Sequence, residues 1–266
     1  MDTTALGSSG EPGTEPRAVP FGLELATLSE TGPVRDNNED RCAHRRYGPA
    51  STVLVVADGV SSYAGGDTAS QMAVDVTLRA WEEQAESVKG ETRLARAAQQ
   101  ANIEIHDLAL VVPELRGMAT TLTAVAVVDG MLVAAHVGDT RLYLVRRGHA
   151  LQLTKDHRAS ETVLTRCVGR DLIAAIDRLS RPLEHGDTLV VCSDGLHNFV
   201  TDEDIARLVT DAAPDAACRA LVDAAIALKT TDNVTAAVIR VVGPTPERPP
   251  AQGVGARLKR LIGRAT

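Results

Sequence analysis

The sequence predicts an α+β fold of antiparallel strands joined by short turns, with helices gathered in pairs. Three observations predict it. Strand-like apolar runs follow one another at hairpin spacing between 120 and 153, two helical stripes stand in succession between 67 and 108, and a strand–helix–helix–strand order closes the pattern over 188–242. Hairpin-linked strands with helices set apart in pairs form α+β layers, not a doubly wound parallel sheet.

Each element has its own signal. STVLVVA (51–57) is a short, β-branched apolar run, the length and composition of a buried strand. From Asp67 to about Glu86, apolar residues recur at Ala69, Met72, Ala73, Val76 and Ala80, one face of a helix. A second helix follows Gly90, with Leu94, Ala98, Ala101, Ile105 and Leu108 in one stripe. TTLTAVAVV (120–128), MLVAAHV (131–137), RLYLVRR (141–147) and HALQL (149–153) read as an antiparallel meander, separated by Asp129-Gly130, Gly138-Asp139-Thr140 and Gly148. TLVVCS (188–193) leads to a helix from about Asp202, with Thr201 and Asp204 placed as a cap. Pro214 opens a helix to Lys229, and VTAAVIRVV (234–242) is the closing strand.

Composition narrows the function. With 266 residues, 44% hydrophobic and 24% charged, the chain supports one large globular domain. Residues 21–243 form that domain, 1–20 a Gly/Pro/Ser/Thr-rich disordered arm, and 244–266 a Pro-rich, then basic, tail carrying Arg257, Lys259, Arg260 and Arg264. Aromatics at 2% argue against a stacking-based binder of single strands, and a net charge of −7 attracts no polyanion, so no nucleic-acid partner is expected. The short basic tail reads as a solvated or partner-docking segment. Cys42, Cys167, Cys192 and Cys218 form no C-x-x-C pair, and none has an Arg six positions on, which excludes a thiolate phosphate loop. The N-terminus lacks a basic and an apolar signal region, and no window approaches 18 apolar residues. The expectation is a cytoplasmic monomer without a membrane span.

The carboxylates carry the chemistry. Asp-Gly occurs at 58–59, 129–130 and 194–195. The middle pair sits between strands at two-residue spacing and reads as a type I′ hairpin turn. Asp58 and Asp194 each end a buried apolar run (VLVVADG, LVVCSDG), where an aspartate is costly unless paired or bound to a metal. Asp232-Asn233 precedes the last strand, so three carboxylates stand on strand ends and converge on one cleft if those strands are neighbours. Oxygen donors without a His or Cys cluster suit Mg²⁺ or Mn²⁺, not zinc. The seven histidines, with no H-x-x-x-H, read as surface or packing residues.

Nine ordered blocks run across nearly all of 21–243: TGPVRDNNED (31–40), VVADG (55–59), GGDTAS (65–70), ATTLTAVAV (119–127), HVGDTRLYLVR (136–146), LTKDH (153–157), LTRCVG (164–169), GDTLVVCSDGL (186–196) and DNVTAAVI (232–239). In these the sequence resembles the bacterial branch of the metal-dependent serine/threonine phosphatases of type 2C. The resemblance implies a four-layer sandwich of two central antiparallel β-sheets flanked by α-helix pairs, with a binuclear metal centre at one end. It implies that Asp58 bridges two Mn²⁺ or Mg²⁺ ions, that the Gly59 backbone carbonyl holds one through water, that Asp194 and Asp232 complete the first site, and that Glu39 serves the second. Asp40 resembles the residue that orients water, Arg35 the arginine that grips substrate phosphate with its planar fork, and Asp139 the aspartate that helps hold a weaker third ion. Two such ions lower the pKa of a shared water, which attacks phosphorus in line with no covalent phosphoenzyme. That route agrees with the absence of a C-x-x-x-x-x-R loop and of a D-x-D-x-T motif.

Three departures stand out. Val60 follows Asp58-Gly59 where animal relatives have a histidine, and Ser61-Ser62 replace two glycines common in bacterial ones. Only Arg158–Val163 separate LTKDH from LTRCVG, where bacterial relatives carry a longer flap, so the substrate groove is expected to be open on that side. The implied partners are phosphorylated proteins and an opposing Ser/Thr kinase. Two other readings were weighed: a phosphatase of anti-sigma-factor antagonists, and a catalytically weak phosphoprotein-binding regulatory module. Arg35 with the N-N-E-D block favours the general branch over the first, and the intact Asp58, Asp194 and Asp232 weigh against the second.

Overall fold

The computed structural model describes residues 22–60, 64–160 and 163–243. The expected arm 1–20, the pair Ser61-Ser62 and the tail 244–266 lie outside them. In chain order the elements are β1 (Gly22–Glu30), β2 (Asp40–Gly48), β3 (Ser51–Asp58), α1 (Gly66–Glu83), α2 (Gly90–Val111), β4 (Leu122–Val128), β5 (Met131–Val137), β6 (Arg141–Arg146), β7 (His149–Gln152), β8 (Arg158–Ser160), β9 (Val163–Leu164), β10 (Asp177–Pro182), β11 (Thr188–Cys192), α3 (Asp194–His197), α4 (Asp202–Val209), α5 (Pro214–Ala227) and β12 (Val234–Val242). One sheet has the order β1-β12-β11-β6-β7, the other β10-β5-β4-β3-β2, and β8–β9 is a separate small hairpin. Every pairing is antiparallel.

The central strands are apolar on both faces because both faces are covered, and their period of two sorts the side chains. On β3, Val53, Val55 and Ala57 pack toward α1 and α2, while Leu54 and Val56 pack toward the other sheet. On β11, Leu189 and Val191 meet that same inter-sheet layer, while Val190 and Cys192 join the residues under α4 and α5. The result is four layers: helix pair, sheet, sheet, helix pair. Alanines at 69, 73, 97, 98 and 101 line the α1–α2 side, small residues that bring the helices close to each other. Thr201 caps α4 as expected, accepting the Asp204 N–H at 3.2 Å.

The meander expected over 120–153 is broken in its middle. The β4–β5 turn is the type I′ hairpin, with φ of 51° at Asp129 and 71° at Gly130. The β5 and β6 strands do not pair; Gly138-Asp139-Thr140 carries the chain from one sheet to the other. Gly138 has a φ of 106°, and a Cβ there would lie 2.6 Å from Thr121 Cβ, so glycine is what lets the crossover pass against β4. Among the described residues, no helix is long and apolar enough to cross a membrane.

Candidate active site

Four strand ends meet at one edge of the sandwich. In one sheet Asp40, at the start of β2, is paired directly with Asp58 at the end of β3. In the other, β11 ends beside the start of β12, and the Ser193 N–H donates to the Thr235 carbonyl at 3.2 Å. Asp194 follows as the first residue of α3, Asp232 precedes β12, and Asp139 arrives on the sheet-to-sheet crossover.

Backbone contacts fix this edge. The Asp58 N–H donates to Thr121 Oγ1 at 2.9 Å, and its carbonyl accepts from the Thr121 N–H and from Thr120 Oγ1, both at 2.8 Å. The Gly59 N–H donates to the Glu39 carbonyl at 3.2 Å. A Cβ on Gly59 would stand 2.4 Å from the Gly66 carbonyl, so the start of α1 presses onto this loop only because residue 59 has no side chain. The Glu39 carboxylate lies against Gly66, where a Cβ would be 3.0 Å from Oε2. Asn233 ties the 31–39 loop to β12: its Oδ1 accepts the Glu39 N–H at 2.8 Å, and its Nδ2 donates to the carbonyls of Thr31 and Asn37 at 2.8 and 2.9 Å. Gly195 repeats the logic of Gly59, since a Cβ there would lie 2.0 Å from the Asn233 carbonyl.

Negative charge accumulates with only partial compensation from within, by Arg35 on Asp232 and Arg158 near Asp139. Burial, then the charges of Asp40, Asp194, Asp139 and Asp232, hold the Asp58 carboxyl well above the usual carboxylate range. Asp194 is pushed up to about 7 by burial and by Asp139 and Asp232. Asp139 is pushed up to about 6 by burial, with Arg158 opposing. Asp40 is buried at 2% exposure; its Oδ2 accepts from Ser193 Oγ and Thr235 Oγ1, both at 2.7 Å. Its other oxygen, Oδ1, is buried with no partner, and burial raises the group to about 7. Arg35 sits at the rim, its Nη2 donating to Asp232 Oδ2 at 2.8 Å, and that bond holds its guanidinium firmly protonated.

The structure thus brings Asp40, Asp58, Asp139, Asp194 and Asp232 together, with Glu39 and Gly59 on the adjoining loops and Arg35 beside them. As the side chains stand, no three of the described His, Cys, Asp or Glu close around a single point. Asp232 is turned to Arg35 instead. The donor chemistry fits hard divalent cations: all-oxygen ligands, mutual repulsion that a cation relieves, and an unpartnered buried oxygen on Asp40. Ser193, Thr235, Asn233, Thr120 and Thr121, which hold these groups, lie inside the matched blocks, but nothing in the sequence gave them a role in the site. Elsewhere, His136 and His157 stack with ring centroids 4.8 Å apart, packing residues as expected. Burial pushes the Cys42 thiol up to about 11 and Cys218 to about 12, so neither is a nucleophile at neutral pH.

Known proteins are similar to this chain in sequence and fold. The sequence pattern of the family described as Protein phosphatase 2C matches residues 34–227. The serine/threonine phosphatase stp of Listeria innocua is 32% identical over 203 residues, 68% of this chain and 81% of that protein. Protein phosphatase PhpP of Streptococcus pneumoniae is 30% identical over 239 residues, 82% of this chain and 97% of that protein. The crystal structure of the catalytic domain of the serine/threonine phosphatase PstP, in complex with two manganese ions, superposes with a TM-score of 0.75 at 29% identity, covering 84% of this chain and 99% of that one. Stp1 from Staphylococcus aureus superposes at 0.78 and 26% identity, over 86% of this chain and 100% of that one.

Proposed function

The chain belongs to the protein phosphatase 2C family and is a serine/threonine phosphatase, and on that premise we propose that it hydrolyses phosphoserine and phosphothreonine of proteins at the acidic edge of the sandwich, using two Mn²⁺ or Mg²⁺ ions. The observation that carries this reading is the set of buried carboxylates repelling one another beside an arginine at the rim.

Asp58, Asp194 and Asp232 would hold one ion and Asp58 with Glu39 the other, with the Gly59 carbonyl holding one of the two through water. Bound there, the ions supply a water of lowered pKa and cancel charge on the phosphoryl group. The chain's own residues do the rest. Arg35 lies beside Asp232, and with Asp232 engaged by an ion its planar fork would be free to take two phosphate oxygens. Asp40, fixed by Ser193 and Thr235, has Oδ1 left to accept a hydrogen bond from water and orient it. Asn233 keeps Glu39 and Arg35 on one braced loop. No protein nucleophile is needed, in keeping with the raised thiols.

The partners of such a site are phosphorylated proteins and a Ser/Thr kinase whose work it reverses; the working unit is a cytoplasmic monomer of residues 21–243. The test is hydrolysis of an aryl phosphate and of a phosphothreonine peptide with Mn²⁺, with Mg²⁺, and after chelation. Activity that survives exhaustive chelation would overturn the two-ion reading.

A further inference from the structure

The hairpin β8–β9 stands where LTKDH and LTRCVG are joined by only six residues, and it begins with Arg158. Its side chain is 20% exposed, turned in toward the acidic edge. Nε pairs with Asp156 Oδ2 at 3.2 Å, and Asp156 is itself gripped by the Arg141 fork, Nε to Oδ1 at 3.0 Å and Nη2 to Oδ2 at 2.8 Å. Arg158 is therefore anchored from behind. Its Nη1 donates to Asn198 Oδ1 at 3.3 Å and lies 3.9 Å from Asp139 Oδ2. Asn198 in turn donates from Nδ2 to Asp194 Oδ2 at 3.3 Å.

The guanidinium thus spans the gap between Asp139 and the Asn198–Asp194 pair. Surface ion pairs of this chain look different: Arg207, paired with Asp204 one helical turn away, is 68% exposed. Arg158 also acts on both carboxylates electrically, opposing the rise that burial imposes on Asp139 and Asp194. A divalent ion on Asp139 would stand within a few ångströms of that fixed positive charge, in a partly desolvated corner where like charges repel strongly.

We propose that Arg158 is a built-in cation occupying the corner beside Asp139, so that this chain holds two ions where the family resemblance implies a weaker third. The proposal rests on the reading that Asp58, Asp194, Asp232 and Glu39 hold the first two. Arginine suits the place because it cannot be deprotonated and bridges two oxygen partners with one planar fork.

The experiment counts ions. Metal-free full-length chain is titrated with Mn²⁺ by calorimetry, and bound Mn²⁺ at saturation is counted by electron paramagnetic resonance. The wild type binds two. Arg158→Met and Arg158→Gln, which remove the charge, gain a third, weaker ion; Arg158→Lys, which keeps it, does not. Adding Asp139→Asn to either uncharged variant returns the count to two. Three ions in the wild type would overturn the proposal whether or not any variant folds, as would folded, uncharged variants that still bind two. Fewer than two in the wild type would instead overturn the two-ion reading beneath it, so the two failures are told apart.

Discussion

One strand, β11, has an aspartate at each end, and the two are handled in opposite ways. Asp187, just before it, is 1% exposed and fully answered from within: Arg146 Nε and Nη2 donate to its two oxygens at 2.7 Å each, and the Glu184 N–H donates to Oδ2 at 2.7 Å. Arg146 also bonds Glu184 at 2.8 Å, so this end of the sandwich is a closed ion network. Asp194, just after the strand, is pushed up to about 7 by burial and like-charged neighbours, and accepts hydrogen bonds from the side-chain amide of Asn198 and the Gly195 backbone. Burial alone therefore does not mark a functional carboxylate. What separates the two ends is how fully the protein supplies the counter-charge: Arg146 closes off Asp187, whereas burial and like charges still hold Asp194 raised, and the proposed chemistry belongs to that second end.

Substitutions sharpen that contrast. Asp58→Asn, Asp194→Asn and Asp232→Asn should each lower kcat at saturating Mn²⁺ by about a thousandfold or more, roughly 4 kcal/mol of transition-state stabilisation. Asp58→Asn and Asp194→Asn should leave the metal-free protein no less stable, since each removes a repelled charge, whereas Asp232→Asn also gives up the ion pair with Arg35. A folded variant with wild-type kcat would break the comparison. Asp187→Asn should do the reverse: turnover is kept, and urea denaturation shows a loss of about 3 kcal/mol, because one partner of a buried pair is gone. An unchanged midpoint would mean the far end is no tighter than a surface ion pair. Arg35→Ala should raise KM and weaken inhibition by inorganic phosphate by about 2 kcal/mol, with Mn²⁺ affinity nearly intact; equal phosphate inhibition in both proteins would return Arg35 to the solvated loop.

The smallest effect is on pH. Asp40 and Asp194, ordinarily near 3.8, lie near 7 in the folded, metal-free chain, and Asp139 near 6. Raised carboxyls mean that the native state binds more protons than the unfolded one across this window. Their contribution is therefore present at the acid end and is lost as pH climbs from about 4 toward 7. Metal-free protein should lose roughly 1 kcal/mol or more of stability over that climb, and saturating Mn²⁺ should reverse the slope because ion binding competes with protons. Thermal unfolding at stepped pH, with and without Mn²⁺, decides it; a metal-free slope of the opposite sign would show that other groups dominate.

Much of this was legible in the chain. The apolar runs named the buried strands, and Asp58 and Asp194 stood out because an aspartate ending a buried apolar run has no inexpensive place to go, with Asp232 standing just before the closing strand. The β5–β6 connection was not legible. G-D-T between two apolar runs has the spacing of a hairpin, and only the contact of Gly138 with Thr121 in the folded molecule makes it a crossover. The supports were hidden for another reason: Thr120, Thr121 and Thr235 read as ordinary β-formers, and their hydroxyls acquire partners only when distant strands meet. Arg158 gave no signal of its own, since Asp139 lies 19 residues earlier and Asn198 40 later.

The position of β12 also sets the timing of activity during synthesis. It is the last described strand, yet it lies inside its sheet, between β1 and β11, with Gly22 opposite Val242 along the full length of β1. A ribosome must therefore release the chain to residue 242 before β1 finds its neighbour, and Asp232 reaches the acidic edge in the same event. A chain stopped short of that strand leaves β1 without a partner and lacks Asp232 at the acidic edge at once, so on the proposed ligand set an unfinished protein should strip no phosphate from its surroundings.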